Sequence, residues 1–241
     1  MNLHCRTLFL ALFTSALLYN APPGVAQPTR ITLLGDFKKD WQKEWVERKL
    51  SARPTKYRVK VAKDSNQVLQ AMSIESASAL WRPLQIRPGR IGKLFWRWKI
   101  DIPLTKNTIE KSKQGDDYAA RLYVVFEPHL VSWKTRALCY VWAAREPTGT
   151  IYRSPYALSV AMVVVQSGKE NKGEWQSEQR DFIADYKKAF GKPPEMVTAV
   201  ALMVDTDNTV QEAQTWFDDI RIEVSDPQEE AKPRPAMRMS N

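Results

Sequence analysis

Residues 93–100, KLFWRWKI, alternate between large apolar and other side chains. The apolar phase is Leu94, Trp96, Trp98 and Ile100. Alternation with a period of two is typical of a β-strand, whose successive side chains point to opposite faces of a sheet. We therefore predict that the two tryptophans lie in a hydrophobic core, and that Phe95 and Arg97 lie together on the opposite face.

Similar segments follow one another along most of the chain. β-Branched and aromatic residues dominate them, and turn residues separate them: YRVKVA, QVLQAMS, SALWRPLQI, KLFWRWKID, DYAARLYVVFE, RALCYVWAA, ALSVAMVVVQ, EWQSEQRDF, VTAVALMVD and TWFDDIRIEV. Short strands at this spacing predict an all-β fold, a jelly-roll-type β-sandwich. Two short helices are expected beside the strands, one within Asp40–Leu50 and one over Ile183–Phe190, where Gly191 ends the pattern.

The first 26 of the 241 residues are predicted to be a signal peptide. An apolar run, TLFLALFTSALLY, follows a basic start, and small residues precede a cleavage position after Ala26. The run is too short to span a bilayer, and no second long apolar segment follows, so stable membrane insertion is not expected. Residues 27–224 are expected to form one domain and 225–241 a disordered tail. A periplasmic or secreted location follows from this prediction.

Composition limits the chemistry of the predicted domain. After residue 26 the chain keeps one histidine, His129, and one cysteine, Cys139. Histidine zinc sites and histidine-dependent nucleophiles therefore have too few residues, and an internal disulfide cannot form. The remaining enzymatic alternative is a glycan hydrolase that works with two carboxylates, Asp116 or Asp117 with Asp205 or Asp207.

The net charge indicates a different class of partner. The formal charge of +9 falls to +8 when the signal segment, with Arg6 and no acidic residue, is removed. A basic exported domain is suited to an anionic envelope polymer or an acidic sugar. Nucleic acid is not expected, because the basic residues are dispersed and no nucleic-acid-binding motif occurs. A generally solvated cationic surface is the alternative interpretation.

Strand alternation also places arginines beside aromatic residues. Arg121 and Tyr123 share one phase of their strand, and Tyr140 and Trp142 share one phase of the next. If these strands share a sheet with Arg97, that sheet could bind sugars, since rings stack on pyranose faces and guanidinium groups bind hydroxyls or anions. We expect exposed ring faces at Tyr123, Tyr140 and Trp142. The alternative is a second core layer in which a buried aspartate neutralises each arginine.

Acidic residues form three clusters: Asp116–Asp117, the DTDNT segment at 205–209, and Asp218–Asp219. Asp218 shares its strand phase with Trp216 and Ile220, and a carboxylate on an apolar face needs a cation. Either an arginine or a structural calcium could serve, so Asp218 and Asp219 are weak candidates for metal ligands. The DTDNT spacing also suits calcium, although a capped turn after a strand is the favoured explanation.

Several of these motifs occur in an order that resembles a known family. WRWKID, GDDYAARLYVVF, TRALCYVW, YKKAFG, DTDNT and WFDDI are together similar to the bacterial family called domain of unknown function 3047, over about Leu34–Glu223. The resemblance implies an exported β-sandwich related in shape to carbohydrate-binding jelly rolls, without an established activity. It implies that the family's recurring polar residues are here Arg97, Asp116, Asp117, Arg121, Asp205, Asp207, Asn208 and Asp219.

Together these features predict a monomeric, non-catalytic protein that binds a glycan or another anionic envelope polymer. The predicted ligand-binding residues are Arg97, Asp116, Asp117, Arg121, Tyr140, Trp142, Asp205, Asp207 and Asn208. A carboxylate-dependent glycan hydrolase and a factor that binds another envelope protein are the alternatives. No cofactor is expected apart from the possible calcium.

Overall fold

A computed structural model of the chain describes residues 28–38, 40–62, 66–105, 109–126 and 135–226. Most of these residues lie in strands. The strands and the helix are, in chain order, β1 Thr29–Gly35, β2 Val46–Lys49, β3 Lys56–Val61, β4 Gln67–Ile74, β5 Ala77–Ile86, β6 Gly92–Ile102, β7 Ala120–Phe126, β8 Arg136–Ala143, β9 Ile151–Arg153, β10 Val160–Ser167, β11 Gln176–Asp181, α1 Phe182–Phe190, β12 Val197–Asp205 and β13 Glu212–Ser225. The all-β prediction is confirmed.

The strands form two sheets that pack as a sandwich. Sheet A has the order β11-β6-β13-β4-β3, and β1 pairs with the second half of β13, beyond the end of β4. Sheet B has the order β2-β5-β12-β7-β8-β10-β9. The strand pairs described are antiparallel except β8 with β10, which run parallel. This is the predicted jelly-roll-type architecture, and it confirms the fold class.

The core between the sheets is built around aromatic rings. Trp96 and Trp98 are 2% and 0% exposed, so the prediction from strand alternation is confirmed. Their partners come from β8: the Trp96 ring centroid lies 5.3 Å from that of Tyr140, and the Trp98 centroid 5.9 Å from that of Trp142. Tyr140 and Trp142 are therefore core residues, and the expectation that their ring faces are exposed is wrong.

One of the two predicted helices is present. Helix α1 begins after Asp181, whose Oδ1 accepts a hydrogen bond of 2.9 Å from the Ala184 amide, and it ends at Gly191 with φ of 81°. Asp40–Leu50 instead contains a single 3-10 turn and then β2. Pairing of β2 with β5 satisfies the backbone there, so the tertiary partner overrides the local helical pattern.

The sequence pattern missed β1, β2 and β9. All three lie at the margin of a sheet, and every residue of β2 is exposed. A strand without a buried face has no reason to alternate in hydrophobicity, which explains the omission. Ser225, the first residue of the predicted tail, is the last residue of β13. Residues 1–26 and 227–241, with the predicted signal peptide and most of the tail, lie outside the described residues.

Among the residues that the structure describes, no helix has the length and apolar character needed to cross a membrane.

Candidate functional site

Arg121 lies in a closed ion-pair network on the outer side of sheet B. Its Nε donates to Asp205 Oδ1 at 2.7 Å and its Nη2 to Asp205 Oδ2, while Nη2 also donates to the Asp116 carbonyl at 2.5 Å. All three residues are at most 4% exposed. For Arg121, the alternative of a second core layer with a buried aspartate is the one observed, and the guanidinium group is not open to solvent.

Asp117 organises the turn that follows β12. Its Oδ2 accepts hydrogen bonds of 2.6 Å from both the Thr209 amide and the Thr209 hydroxyl, and its Oδ1 accepts one of 3.1 Å from Asn208 Nδ2. Asn208 Oδ1 accepts a further bond from the Tyr156 hydroxyl at 2.8 Å. The DTDNT segment is thus tied to the GDD segment, and both carboxylate oxygens of Asp117 accept hydrogen bonds within the fold.

Burial disfavours the charged forms of the carboxylates around Arg121. Burial raises the pKa of Asp205 to about 7, although the charge of Arg121 opposes this rise. Burial also raises the pKa values of Asp116 and Asp207. Carboxylate oxygens of Asp117, Asp205 and Asp207 lie within 4.8 Å of one another, close enough to share a cation. The expected structural calcium stays a prediction.

Tyr140 and Trp142 are fixed by hydrogen bonds inside the sandwich. The Tyr140 hydroxyl donates to Asp185 Oδ2 at 2.9 Å, and Trp142 Nε1 donates to the Gly168 carbonyl at 3.0 Å. Arg180 donates to both oxygens of Asp185 and neutralises it. Tyr123 is half-buried on the outer side of sheet B, where its hydroxyl approaches Arg121 Nη1 at 3.4 Å. The rings of Tyr140 and Trp142 are therefore closed to a ligand, whereas Tyr123 is partly exposed.

A β-bulge at Asp219 explains why the sequence placed the third acidic cluster, Asp218–Asp219, on the wrong face of its strand. Asp219 has φ of 52°, and β13 gains one residue relative to β6 between Asp218 and Arg221. The bulge reverses the alternation, so Trp216 and Asp218 face outward from sheet A whereas Ile220 is buried in the core. The sequence assignment of Asp218 to the apolar face is therefore wrong.

Arginine is the cation that pairs with this cluster. Arg97 Nη2 and Nε donate to Asp218 Oδ2 at 2.5 and 3.1 Å, and Nε lies 3.0 Å from Asp219 Oδ2. Burial raises the pKa of Asp218, and the hydrogen bonds from Arg97 oppose that rise. The sequence left open whether an arginine or a calcium ion pairs with Asp218 and Asp219, and in the structure Arg97 lies beside both.

A groove crosses the outer face of sheet A next to this pair. It encloses about 510 Å³, and we call it the Trp175–Trp216 groove. Its lining residues come from β3, β4, β6, β13 and the segment before β11: Val61, Ala62, Val68, Arg97, Lys99, Gly173, Trp175 and Trp216. Both tryptophans are half-buried, in contrast to the fully buried pair on β6.

Cations lie against both indole rings of the groove. The Arg97 Cζ is 4.8 Å from the Trp175 ring centroid, and the Lys99 Nζ is 5.1 Å from the centroid of Trp216. Both distances are within the range of cation–π attraction. Arg97, Lys99 and Trp216 follow directly from strand register, since Lys99 pairs with Trp216 and Arg97 with Asp218 across β6 and β13.

Local hydrogen bonds position the two rings. Trp216 Nε1 donates to Asp101 Oδ2 at 2.6 Å, and Lys99 Nζ lies 3.2 Å from the other oxygen of Asp101. On the opposite side, the Gly173 amide donates to the Ile100 carbonyl at 2.8 Å, which ties the segment before Trp175 to β6. Gly173 has φ of 81°, a conformation that favours glycine. Hydrogen bonds within the chain therefore fix the shape of the groove.

Sequence reasoning found Arg97 in this groove but missed Lys99, Trp175 and Trp216. Lys99 lies in the polar phase of KLFWRWKI, opposite the two core tryptophans. It shares that phase with Arg97, so the same alternation could have placed Lys99 on the outer face. Trp216 was assigned to the core face because the bulge at Asp219 is not visible in the alternation. Arg97 is the member of the predicted binding set that lines the groove. Asp116, Asp117, Arg121 and Asp205 lie in the buried network, and Tyr140 and Trp142 lie in the core. Asp207 and Asn208 lie in the turn after β12, where Asp207 is half-buried and Asn208 is exposed.

Comparison with known proteins identifies one family. The sequence model of the family described as "Protein of unknown function (DUF3047)" matches residues 39–221. No curated protein sequence is significantly similar to this chain.

Several solved structures are similar in shape at low identity. The family 11 carbohydrate-binding module of a Clostridium thermocellum cellulase matches with 9% identity and a TM-score of 0.43 over 83% of this chain and 98% of the module. The K1 adhesin domain of Lys-gingipain from Porphyromonas gingivalis gives 12% and 0.41 over 83% and 99%. The xyloglucanase domain of NopAA from Sinorhizobium fredii gives 11% and 0.43 over 76% and 93%.

Proposed function

We propose that this chain, which belongs to the DUF3047 family, binds a glycan without transforming it, in the Trp175–Trp216 groove. The observation that carries the proposal is the pair of half-buried indole rings on either side of Arg97 and Lys99, in an open groove of about 510 Å³. Ligand sites combine apolar walls with a few fixed polar groups in this way.

The chemistry of the groove suits a sugar ring. Indole faces bind the apolar C–H surface of a pyranose, and the charged side chains between them offer donors to its hydroxyl groups. Arg97 and Lys99 supply these donors, and each is held by a carboxylate, Asp218 at 2.5 Å and Asp101 at 3.2 Å. Because Asp101 and the segment at Gly173 hold the rings in place, little ordering is required on binding.

The test is retention on polysaccharides together with release of product. We expect the purified protein to be retarded by at least one glycan in a panel of acidic and neutral polysaccharides, and to release no sugar from it. Trp175→Ala and Trp216→Ala should each weaken retention at least about tenfold. The matched control is Trp81→Ala, which removes another half-buried tryptophan, with Arg48 stacked on it at 3.8 Å, from sheet B.

Folding of each variant is checked by its thermal midpoint. If both groove variants fold like the parent and keep full retention, the groove is not the binding site. If a glycan is steadily cleaved, the alternative of a carboxylate-dependent hydrolase replaces this proposal. Of its candidate acids, Asp116, Asp117 and Asp205 are at most 4% exposed and hydrogen-bonded within the fold, whereas Asp207 is half-buried. Each candidate pair therefore contains at least one buried carboxylate.

Binding is proposed to take place outside the cytoplasm. This part rests on residues 1–26, whose short apolar run and small residues before Ala26 have the pattern of a cleaved export signal. Mass spectrometry of protein recovered from a periplasmic or culture fraction should find an N-terminus at Gln27. A chain that keeps Met1 and stays in the cytoplasm would contradict it.

A further inference from the structure

Strand β3, at one edge of sheet A, carries a row of three cations. Lys56, Arg58 and Lys60 occupy alternate positions of the strand and are exposed. Side chains at alternate positions share one face of a sheet and lie about 6.6 Å apart along the strand. We call these three residues the β3 cation row.

Strand register places the row on the same face as the groove. Lys60 pairs with Val68, which lines the groove, and Arg58 pairs with Gln70, which in turn pairs with Trp216. Residues directly opposite in antiparallel strands project to the same side. Two strand spacings separate Arg58 from Trp216, so their backbones are roughly 10 Å apart.

The row differs from the groove in its charge. In the groove, Arg97 is paired with Asp218 and Asp219, and Lys99 is paired with Asp101. No ion pair joins any of the row's three cations to a carboxylate of the described residues. Their partners on β4, which are Val68, Gln70 and Met72, are uncharged. The row therefore places three cations beside the groove that no carboxylate of the described residues neutralises.

We propose that the glycan bound by this protein is an acidic polysaccharide that crosses the strands of sheet A from the Trp175–Trp216 groove to the β3 cation row. A sugar ring lies against the indoles, and carboxylate groups of residues further along the polymer bind the row. Arg58, at the centre of the row, can bind a carboxylate through two parallel hydrogen bonds. This inference rests on the proposed function, and it adds the charge of the ligand and the direction in which it lies.

The experiment compares three polysaccharides that contain uronic acid, polygalacturonate, alginate and hyaluronate, each with its carboxyl-reduced neutral form. We expect at least one acidic polymer to bind about tenfold or more tightly than its neutral form in low salt, and the difference to shrink as sodium chloride is added. The triple variant Lys56→Gln, Arg58→Gln and Lys60→Gln should lose that preference and bind the neutral form as the parent does.

The matched control removes three charges elsewhere. Lys49→Gln, Lys187→Gln and Lys188→Gln change exposed lysines on β2 and α1, so the net charge falls equally while the row is kept. This variant should keep the preference for the acidic polymer. A preference lost equally in both variants would show that overall charge, and not the row, is responsible.

The outcomes separate this inference from the proposed function. Equal binding of acidic and neutral forms, binding of neutral glycans alone, or a preference that survives in the triple variant would overturn the acidic ligand and leave the groove as a glycan site. Absence of binding to every glycan in both panels would overturn the proposed function, and the inference with it.

Discussion

Arg121 is a buried cation whose partners come from different parts of the chain. Asp116 lies five residues before it, whereas Asp205 lies at the end of β12. Removing one partner of a buried pair leaves an uncompensated charge, which costs more than the intact pair contributes. The network is therefore a structural requirement of this side of sheet B.

We expect Arg121→Met to lower the free energy of unfolding by about 3–5 kcal/mol, because Asp205 and Asp116 would stay buried without their cation. Urea denaturation at pH 7 measures the change. The control is Lys43→Met, whose pair with Asp40 has side chains 77% and 53% exposed and should be worth at most about 1 kcal/mol. Similar losses in the two variants would contradict a buried network.

Stability should also depend on pH through Asp205. Its pKa is about 7 in the folded chain, mainly because of burial, and about 3.9 in an unfolded chain. Between roughly pH 4 and 7 the folded state therefore binds more protons than the unfolded state, and the free energy of unfolding falls as pH rises. Asp205→Asn should flatten this part of the profile in a series of urea titrations. A parent whose stability rises steadily from pH 4 to 7 would contradict the raised pKa.

At the scale of elements, the bulge in β13 decides which side chains face the groove. Asp219 adopts a positive φ, which asparagine, aspartate and glycine tolerate and β-branched residues do not. Trp216 and Asp218 lie immediately before it and face outward, while Ile220 immediately after it faces the core. One irregular residue thus sets the orientation of one wall of the groove.

We expect Asp219→Val to destabilise the protein by about 1–2 kcal/mol, because valine is strained at positive φ. Asp219→Asn keeps the backbone preference while removing the charge, so it should change stability much less. Denaturant unfolding of the two variants measures the difference, and glycan retention by Asp219→Val reports on the orientation of Trp216. Equal stability of the two variants would show that the bulge does not depend on this residue.

At the scale of the whole molecule, the central part of sheet B is buried on both faces. Its inner face packs on sheet A, and part of its outer face forms a second apolar cluster around Tyr118, Cys139 and Met162, each 0% exposed. Strand β9 brings Tyr152 to this side, and the segment before β7 brings Glu110, which accepts hydrogen bonds from the amides of residues 144–146. The outer face of sheet A is more accessible than that of sheet B, and it carries the Trp175–Trp216 groove.

Cys139 lies at the centre of this doubly covered sheet, and its thiol should report global unfolding. Burial raises its pKa to about 12, so little thiolate forms near neutral pH. With Cys5 replaced by serine, we expect a thiol-specific reagent to label the native protein negligibly, and to label it fully in denaturant. The labelling rate should follow unfolding measured by tryptophan fluorescence. Rapid labelling of the native protein would show that sheet B opens locally.

The sequence by itself was sufficient to assign the strands that have a buried face, the helix α1 and the core position of Trp96 and Trp98. These features depend on local periodicity, on the Asp181 cap and on the Gly191 stop, all of which act within a few residues. The family resemblance from motif order was likewise confirmed, over residues 39–221. Strand alternation also left open a second core layer in which a buried aspartate neutralises each arginine, and Arg121 with Asp205 has that arrangement.

Only the tertiary structure decided which faces are open. Alternation divides a strand into two phases, but it does not say whether loops cover the second phase, and at Arg121, Tyr140 and Trp142 both sides are buried. It also cannot show a bulge, which reverses the phase after a single residue and turns Trp216 toward the groove. Trp175, Lys99 and Trp216 come together because strands distant in the chain are neighbours in sheet A, and that proximity is a property of strand pairing and not of any local pattern.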